Sequence, residues 1–201
     1  MKRLFYIALS VAALLCVGCK DDEDIFTPQK NAILRYLTSS RRMVAESEVG
    51  SVIEENPAFY TQFGQSVYRH IPTYYNSDRE EWSQVEAGST VSIAFNAYVF
   101  EGTEPTINDV YWSNIPKTIT EVESTSKNPY ADLQWSEEPL TITLGETKLI
   151  SGLAEALVGC HDQDSVQVYM TYNAAYGDAV VGTVPKQSSV AWYIKILSVL
   201  K

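Results

Sequence analysis

Two long stretches of alternating apolar and polar residues constrain the fold of this chain more than any other feature. They span residues 90–100 and 188–199. The residues at every second position are apolar: Val91, Ile93, Phe95, Ala97 and Val99 in the first stretch, and Val190, Trp192, Ile194 and Ile196 in the second. A period of two brings such residues to one face of a β-strand. The sequence therefore predicts a sheet built on two long strands, with one face buried.

Shorter segments complete this pattern. Residues 140–144 and 165–171 also alternate, whereas residues 149–158 have helical spacing. Four apolar side chains of this helix share one face: Leu149, Ile150, Leu153 and Leu157. Strands, one short helix and further strands, in that order, predict an α+β fold. In this fold an antiparallel sheet has one face covered by the short helix.

The segment before these strands predicts a separate helix. It covers residues 28–43, with Thr27 as its N-cap and a proline in its first turn. Its apolar stripe consists of Ile33, Leu34 and Leu37. We expect residues 27–60 to form a helical extension, which acts as a spacer and packs loosely on the domain.

The domain itself is expected to span residues 61–201. Residues 128–139 are polar and have the composition of a loop. We therefore expect an insertion around residues 113–139. The length of the chain is consistent with one domain plus a modest extension.

The composition excludes several classes of function. Hydrophobic residues make up 45% of the chain, which is too large a share for a disordered protein. The net charge of −10 would repel phosphate backbones, so nucleic acid is excluded as a partner. With 3 Cys and 2 His, the chain has too few ligands for a zinc site. It also lacks a glycine-rich phosphate loop and a nucleophile elbow, and we expect no metal and no cofactor.

The first 18 residues have the features of an export signal. Lys2 and Arg3 precede an apolar run of 15 residues, which is shorter than a membrane-spanning helix. The run ends at Val17 and Gly18, directly before Cys19. This arrangement resembles a bacterial lipoprotein signal, in which the cysteine is lipidated and becomes the new N-terminus. Plain secretion and an uncleaved anchor are the alternatives.

Residues 19–26 form an acidic tether after this cysteine. Lys20 is followed by four acidic side chains at positions 21–24. Acidic residues directly after a lipidated cysteine resemble the surface-export signal of Bacteroidetes lipoproteins. The resemblance implies a lipid anchor at Cys19 in the outer membrane of the cell envelope. The domain would then face either the cell surface or the periplasm.

Residues 140–201 carry six motifs in a specific order. They are Leu144-Gly145, Leu149-Ile150-Ser151-Gly152, Val166 to Thr171, Ala175-Tyr176-Gly177, Val184-Pro185 and Val190 to Val199. This order resembles the second half of an FKBP-type peptidyl-prolyl cis-trans isomerase domain. Residues 90–102 extend the resemblance to an earlier strand and turn of that family.

The resemblance implies both a fold and an activity. The fold is a twisted antiparallel half-barrel wrapped on one short helix, with a pocket for a prolyl ring between them. The activity is rotation about X–Pro amide bonds, which has a barrier of about 18–20 kcal/mol. No covalent step or cofactor is needed, because a dry aromatic pocket with one hydrogen-bond donor favours the twisted amide. The implied partner is a proline-containing peptide or client protein.

The resemblance also assigns site residues. Tyr176 matches the family's carbonyl-binding tyrosine and is the candidate catalytic residue. The candidate pocket consists of Phe95, Tyr111, Leu140, Leu149, Ile150, Leu153 and Trp192. Leu149 and Ile150 match the aliphatic pair that lies beside the proline, while Leu140 and Trp192 stand at phenylalanine positions.

This sequence departs from the family's pattern at the centre of the pocket. Leu153 stands where most members have the tryptophan of the pocket floor, and Phe95 replaces a tyrosine. Tyr111 and Trp112 match a Phe-Asp pair, so the aspartate is lost unless Asp109 supplies it. Two hypotheses follow. The protein is an isomerase or foldase-like protein with a degenerate active site, or it is a non-catalytic lipoprotein that binds peptides or proteins through the FKBP scaffold.

Overall fold

The computed structural model describes residues 24–52, 58–125, 127–130, 135–147 and 150–200. The expected export signal, the lipidation site Cys19 and most of the acidic tether lie outside the described residues. Within the ranges given above, no helix combines the length and the hydropathy needed to cross a membrane.

One sheet organises the described part of the chain. Its strands are β1 (Arg42–Ala45), β2 (Phe59–Phe63), β3 (Val67–His70), β4 (Thr90–Val99), β5 (Val110–Ser113), β6 (Leu140–Thr143), β7 (Ser165–Met170) and β8 (Val190–Leu200). The order across the sheet is β1-β2-β3-β7-β8-β4-β5, and β6 also pairs with β4. These pairs are antiparallel except for β1 with β2. The predicted α+β fold with an antiparallel sheet is confirmed.

The two long alternating stretches form the longest pairing of this sheet. Strands β4 and β8 run antiparallel along the whole of β4, with one irregularity between Ser92 and Ile93. The side chains that alternate on one face of β4 are fully buried: Val91, Ile93, Phe95 and Ala97. The period of two therefore predicted both the strands and their buried face.

The helices in the described ranges are α1 (Phe26–Thr38), α2 (Val49–Val52), α3 (Pro116–Ser124) and α4 (Ser151–Leu157). Helix α4 is the predicted short helix, and it packs on the face of the sheet that carries Phe95. Gly152 allows this close approach. A Cβ atom at this position would lie 2.8 Å from Met170 Sδ and 2.8 Å from Val67 Cγ2. A larger residue would have to push the helix away from β3 and β7.

The opposite face of the sheet is also covered, which the alternation did not predict. Ile33 and Leu37 of α1 are fully buried against this face. The sheet contributes aromatic side chains to the same cluster: Tyr60, Tyr68, Tyr98 and Tyr169. The expectation of a loosely packed spacer over residues 27–60 is therefore wrong. Because this face is aromatic rather than polar, it also needs an apolar cover.

The ends of α1 differ from the prediction. The helix begins at Phe26, and Asp24 Oδ1 accepts a hydrogen bond from the Thr27 backbone N–H at 3.3 Å. Thr27 therefore lies inside the helix and is not its N-cap. The helix ends at Thr38 instead of residue 43, because residues 42–45 pair with β2 as a strand. Pairing across the sheet overrides the helical spacing at this point.

The region expected to be an insertion contains regular structure. Helix α3 lies within residues 113–139 and buries Ile119 and Val122. Strand β5 ends at the first residue of this region and pairs with β4. Four residues are too few for a strand to show a clear period, which is why β5 was not predicted.

Candidate functional site

The predicted pocket residues converge between α4 and the sheet. Phe95, Tyr111, Leu153 and Trp192 are buried members of one core cluster. Leu140, Ile150 and Tyr176 are partly buried and pack against the same cluster. Leu149 lies outside the described residues. The elements that bring these side chains together are β4, β5, β6, β8, α4 and the turn after β7.

Three aromatic rings form the base of this site. The rings of Phe95 and Trp192 are stacked, with centroids 4.7 Å apart and an interplanar angle of 19°. Trp112 meets both rings edge-on, at 4.8 Å from Phe95 and 5.7 Å from Trp192. The exposed fraction is 0% for Phe95 and 2% for Trp192. These rings therefore provide a dry and rigid surface below the site.

A chain of hydrogen bonds leads from this base to Tyr176. The indole Nε1–H of Trp192 donates to the hydroxyl of Tyr111 at 2.8 Å. The hydroxyls of Tyr111 and Tyr176 lie 3.0 Å apart. Because Trp192 can only donate, Tyr111 accepts there and satisfies its own hydrogen by donating to Tyr176. This direction leaves the hydrogen of Tyr176 available for another acceptor, such as a peptide carbonyl.

Both tyrosines remain protonated at neutral pH. Burial raises the pKa of Tyr111 well above its ordinary value, and the neighbouring Tyr176 acts in the same direction. Burial also raises the pKa of Tyr176, which a hydrogen bond from Tyr111 partly offsets. A phenol that stays neutral can donate a hydrogen bond, and successive hydrogen bonds polarise one another. These two hydrogen-bonded tyrosines can therefore supply a hydrogen-bond donor at the site, but they cannot act as a general base.

The aliphatic part of the site surrounds the start of α4. Ile150 directly precedes the helix, and its carbonyl accepts the N–H groups of Leu153 and Ala154. The side chain of Leu153 is fully buried, so it forms part of the core below the site. Leu140 is half-buried on β6, which is opposite Ile93 of β4. Among its described residues, the site thus combines an apolar wall with a polar edge at Tyr176.

The carboxylate of Asp109 caps a turn and is not placed with the pocket residues. Its Oδ2 accepts hydrogen bonds from the backbone N–H and the hydroxyl of Thr106, at 2.7 and 2.9 Å. These contacts make it the second partner in a capping box at the start of a short 3₁₀ turn. The alternative that placed Asp109 in the pocket is therefore wrong, because its carboxylate is used in this cap. Trp112, which the resemblance places at the aspartate position, packs on the rings of Phe95 and Trp192.

Sequence reasoning missed Asn114, which positions Phe95. Its Oδ1 accepts the backbone N–H of Phe95 at 2.7 Å, and its Nδ2 donates to the carbonyl of Ile93 at 2.9 Å. The side-chain amide thus pairs with β4 as a neighbouring strand would. No spacing or motif could have identified it, because an asparagine after a strand is most often a loop residue.

A buried ion pair at the other end of α4 was also missed. Arg79 Nη2 and Asp164 Oδ2 lie 2.8 Å apart, and both side chains are buried. Arg79 also donates to the carbonyl of Gly159, and Asp164 Oδ2 accepts the backbone N–H of His161 at 2.7 Å. Nearby, Arg69 Nη1 donates to the carbonyls of Ala156 and Val158, in the last turn of α4 and directly after it. These contacts fix the C-terminal end of α4. They therefore also fix the position of the helix whose N-terminal end lies at the candidate site.

Known proteins share this arrangement of sheet and helix. A family model described as FKBP-type peptidyl-prolyl cis-trans isomerase matches residues 117–197. The N-terminal domain of FKBP42 from Arabidopsis thaliana has a TM-score of 0.50 and 14% identity, over 71% of this chain and 92% of that chain.

The structure of the three FKBP domains of wheat FKBP73 has a TM-score of 0.50 and 15% identity, over 72% of this chain and 51% of that chain. This chain therefore spans about half of that wheat chain. At these identities the likeness concerns the fold alone. A search of curated proteins found no significant match.

Proposed function

Because this chain carries a domain of the FKBP-type peptidyl-prolyl cis-trans isomerase family, we propose that it binds proline-containing segments of client proteins and accelerates their cis–trans isomerisation. The family acts on proline-containing peptides, and Tyr176 stands at the position of its carbonyl-binding tyrosine. In this proposal the domain is foldase-like and its active site is degenerate.

One observation carries the proposal: the hydrogen-bond chain from Trp192 through Tyr111 to Tyr176. It leaves a neutral phenol at the polar edge of an otherwise apolar site. When an X–Pro amide twists, it loses resonance and its carbonyl must be held in a new orientation. A preorganised donor and a dry wall both favour the twisted amide over the planar one. Stabilising the twisted amide in this way requires no covalent intermediate.

We expect slow catalysis because Leu153 stands where most family members have a tryptophan. A tryptophan floor replaced by leucine removes on the order of 100 Å² of apolar contact with the prolyl ring, or about 2–3 kcal/mol. Trp112 can offset part of this loss, because its half-buried ring lies against Phe95 and Trp192. We therefore expect an activity well below that of a family member with the tryptophan floor.

The experiment measures cis-to-trans isomerisation of a Leu-Pro or Phe-Pro test peptide. It uses the chain from residue 20 onward, which contains every described element. We compare the unmodified protein with Tyr176→Phe, and use Tyr193→Phe as a matched control on the opposite face of the sheet. Loss of one hydrogen bond to the carbonyl should lower kcat/KM about five- to tenfold in Tyr176→Phe only. Equal activity in all three proteins would contradict the assigned role of Tyr176.

A non-catalytic binding module is the second candidate, and the packing of the rings favours it. Phe95, Trp192 and Leu153 are at most 2% exposed, so a prolyl ring must displace them or bind above them. Titration of the same peptides, followed by tryptophan fluorescence, separates the two candidates. Binding without acceleration by a folded protein supports the module, whereas acceleration supports the isomerase.

We also propose that Cys19 carries a lipid that anchors the protein in the outer membrane of the cell envelope. The apolar run before Cys19 and the acidic residues after it support this proposal. Cys19→Ala should move the protein from the membrane fraction to the soluble fraction. Protease treatment of intact cells then distinguishes a surface location, where the domain is cut, from a periplasmic one, where it is protected.

A further inference from the structure

A polar cavity lies on the sheet face opposite α4. Its volume is about 280 Å³. The residues that decide its chemistry are Tyr36, Arg41, Tyr60, Glu104, Tyr169 and Tyr193. Alternation along β8 separates it from the proposed isomerase site, because Tyr193 lines the cavity whereas Trp192 points into the core on the other face. The cavity is therefore distinct from the site of Tyr176.

The deepest tyrosines contribute hydroxyl groups rather than ring faces. Tyr60 is 2% exposed and Tyr169 is 1% exposed. Their rings pack edge-on, with centroids 6.1 Å apart, in the cluster between α1 and the sheet. Tyr36 and Tyr193 are half-buried, so parts of their rings remain accessible. The lining of the cavity thus combines deeply buried tyrosines with tyrosines whose rings remain partly accessible.

These groups offer more hydrogen bonds than they use with one another. The hydroxyls of Tyr169 and Tyr193 lie 2.7 Å apart, and only one of their two hydrogens can lie between them. Tyr60 accepts a hydrogen bond from Arg41 Nη1 at 3.1 Å and keeps its own hydrogen to donate. Tyr36 donates to the carboxylate of Glu104, which has further acceptor sites. Tyr36 also forms hydrogen bonds with Tyr169 and Tyr193, so donors and acceptors lie side by side around this cavity.

The charges around the cavity cancel. Arg41 contributes one positive charge and Glu104 one negative charge. The ring of His70 lies 5.3 Å from the ring of Tyr60, and burial lowers the pKa of His70 to about 4, so it is neutral at neutral pH. A charged ligand would find one group of its own sign at the cavity. A neutral ligand meets no such repulsion.

We infer that this cavity binds a neutral carbohydrate through one pyranose ring. Sugar hydroxyls both donate and accept, which matches the mixed set formed by the tyrosines, Arg41 and Glu104. The volume is just below the ~300–1,000 Å³ of pockets that bind drug-sized molecules, which suits a single ring. The apolar C–H face of such a ring can rest on the accessible parts of Tyr36 and Tyr193.

The test is a binding titration by calorimetry and saturation-transfer NMR. The probes are glucose, galactose, mannose and N-acetylglucosamine, with inorganic phosphate and acetate as an anionic comparison. We expect at least one sugar to bind and neither anion to do so. Tyr193→Phe keeps the ring and removes one hydroxyl, and should weaken sugar binding about fivefold. Tyr176→Phe, on the opposite face, should bind the sugar as the unmodified protein does.

Three results would overturn the inference. They are the absence of binding by all four sugars, binding of phosphate or acetate instead, and sugar binding that is unchanged in Tyr193→Phe. Circular dichroism of each variant establishes that it is folded. Tyr193→Phe tests the carbohydrate site and is the control for the isomerase site, whereas Tyr176→Phe has the reverse roles. Failure of the carbohydrate proposal therefore leaves the isomerase proposal intact.

Discussion

Replacing Asp164 by asparagine should be among the most destabilising single changes in this domain. The carboxylate is fully buried and accepts hydrogen bonds from Arg79, from the hydroxyl of Thr73 at 2.9 Å and from the backbone of His161. The asparagine side chain would have nearly the same shape as the aspartate but no charge. The guanidinium of Arg79, which is also buried, would then lose its counterion while still removed from water.

The size of this effect follows from the burial of both partners. Removal of one partner from a buried ion pair costs about 3–5 kcal/mol, because an uncompensated charge is left behind. Since small domains are stable by only about 5–15 kcal/mol, this is a large share of the total. The ring of Tyr74 lies 4.8 Å from Arg79 and retains some of the interaction with the cation. We therefore expect a loss of about 3 kcal/mol, at the lower end of that range.

A double-mutant cycle distinguishes a lost ion pair from a general packing defect. Urea unfolding of Asp164→Asn, Arg79→Met and the double variant is followed by tryptophan fluorescence, which the buried Trp192 makes sensitive to unfolding. Because the double variant has no unpaired charge, it should be more stable than the sum of the single losses predicts, by about 2 kcal/mol. A loss below about 1 kcal/mol in Asp164→Asn, or strictly additive losses, would refute the reasoning.

Three further changes test other parts of the structure. Gly152→Ala should destabilise the domain by about 1–3 kcal/mol in urea unfolding, because the new methyl group would overlap Met170. Gln163→Gly should stabilise the domain by about 1 kcal/mol and so raise its melting temperature in calorimetry, since Gln163 has a φ of 63°. His70, whose pKa falls to about 4 on burial, should cause stability to decrease as the pH falls from about 6.5 towards 4. His70→Gln should lose less stability between pH 7 and pH 5 in the same assay, and an unchanged pH dependence would contradict this.

Much of the sheet face that carries the proposed isomerase site could be predicted from the sequence. The alternation of β4 and β8 and the helical spacing of α4 are local properties, and they indicate which side chains become buried. Tyr176 could be proposed as the carbonyl-binding residue, because the order of motifs around it resembles one family. The contact between Tyr176 and Tyr111 could not be predicted, since the two residues are 65 positions apart in the chain. Only the pairing of β4 with β5 and with β8 places Tyr111 beside Trp192.

The opposite face shows where local patterns are insufficient. Tyr98, Tyr169 and Tyr193 occupy the positions between the core residues of their strands, and such positions are usually exposed in an antiparallel sheet. Aromatic residues with hydroxyl groups are compatible with either solvent or a core. Their environment depends on whether other elements cover them, and α1 does so together with Val122 of α3.

The sequence by itself determined the alternation of the strands, the helical spacing of α4, and the order of motifs that resembles the FKBP family. These properties depend on near neighbours along the chain, where backbone geometry and side-chain period act directly. The tertiary structure alone decided the ion pair of Arg79 with Asp164, the hydrogen-bond chain to Tyr176, and the cavity formed by the tyrosines. Each of these joins residues that are distant in sequence, and their interactions arise only once the sheet has brought them within hydrogen-bond distance and excluded water.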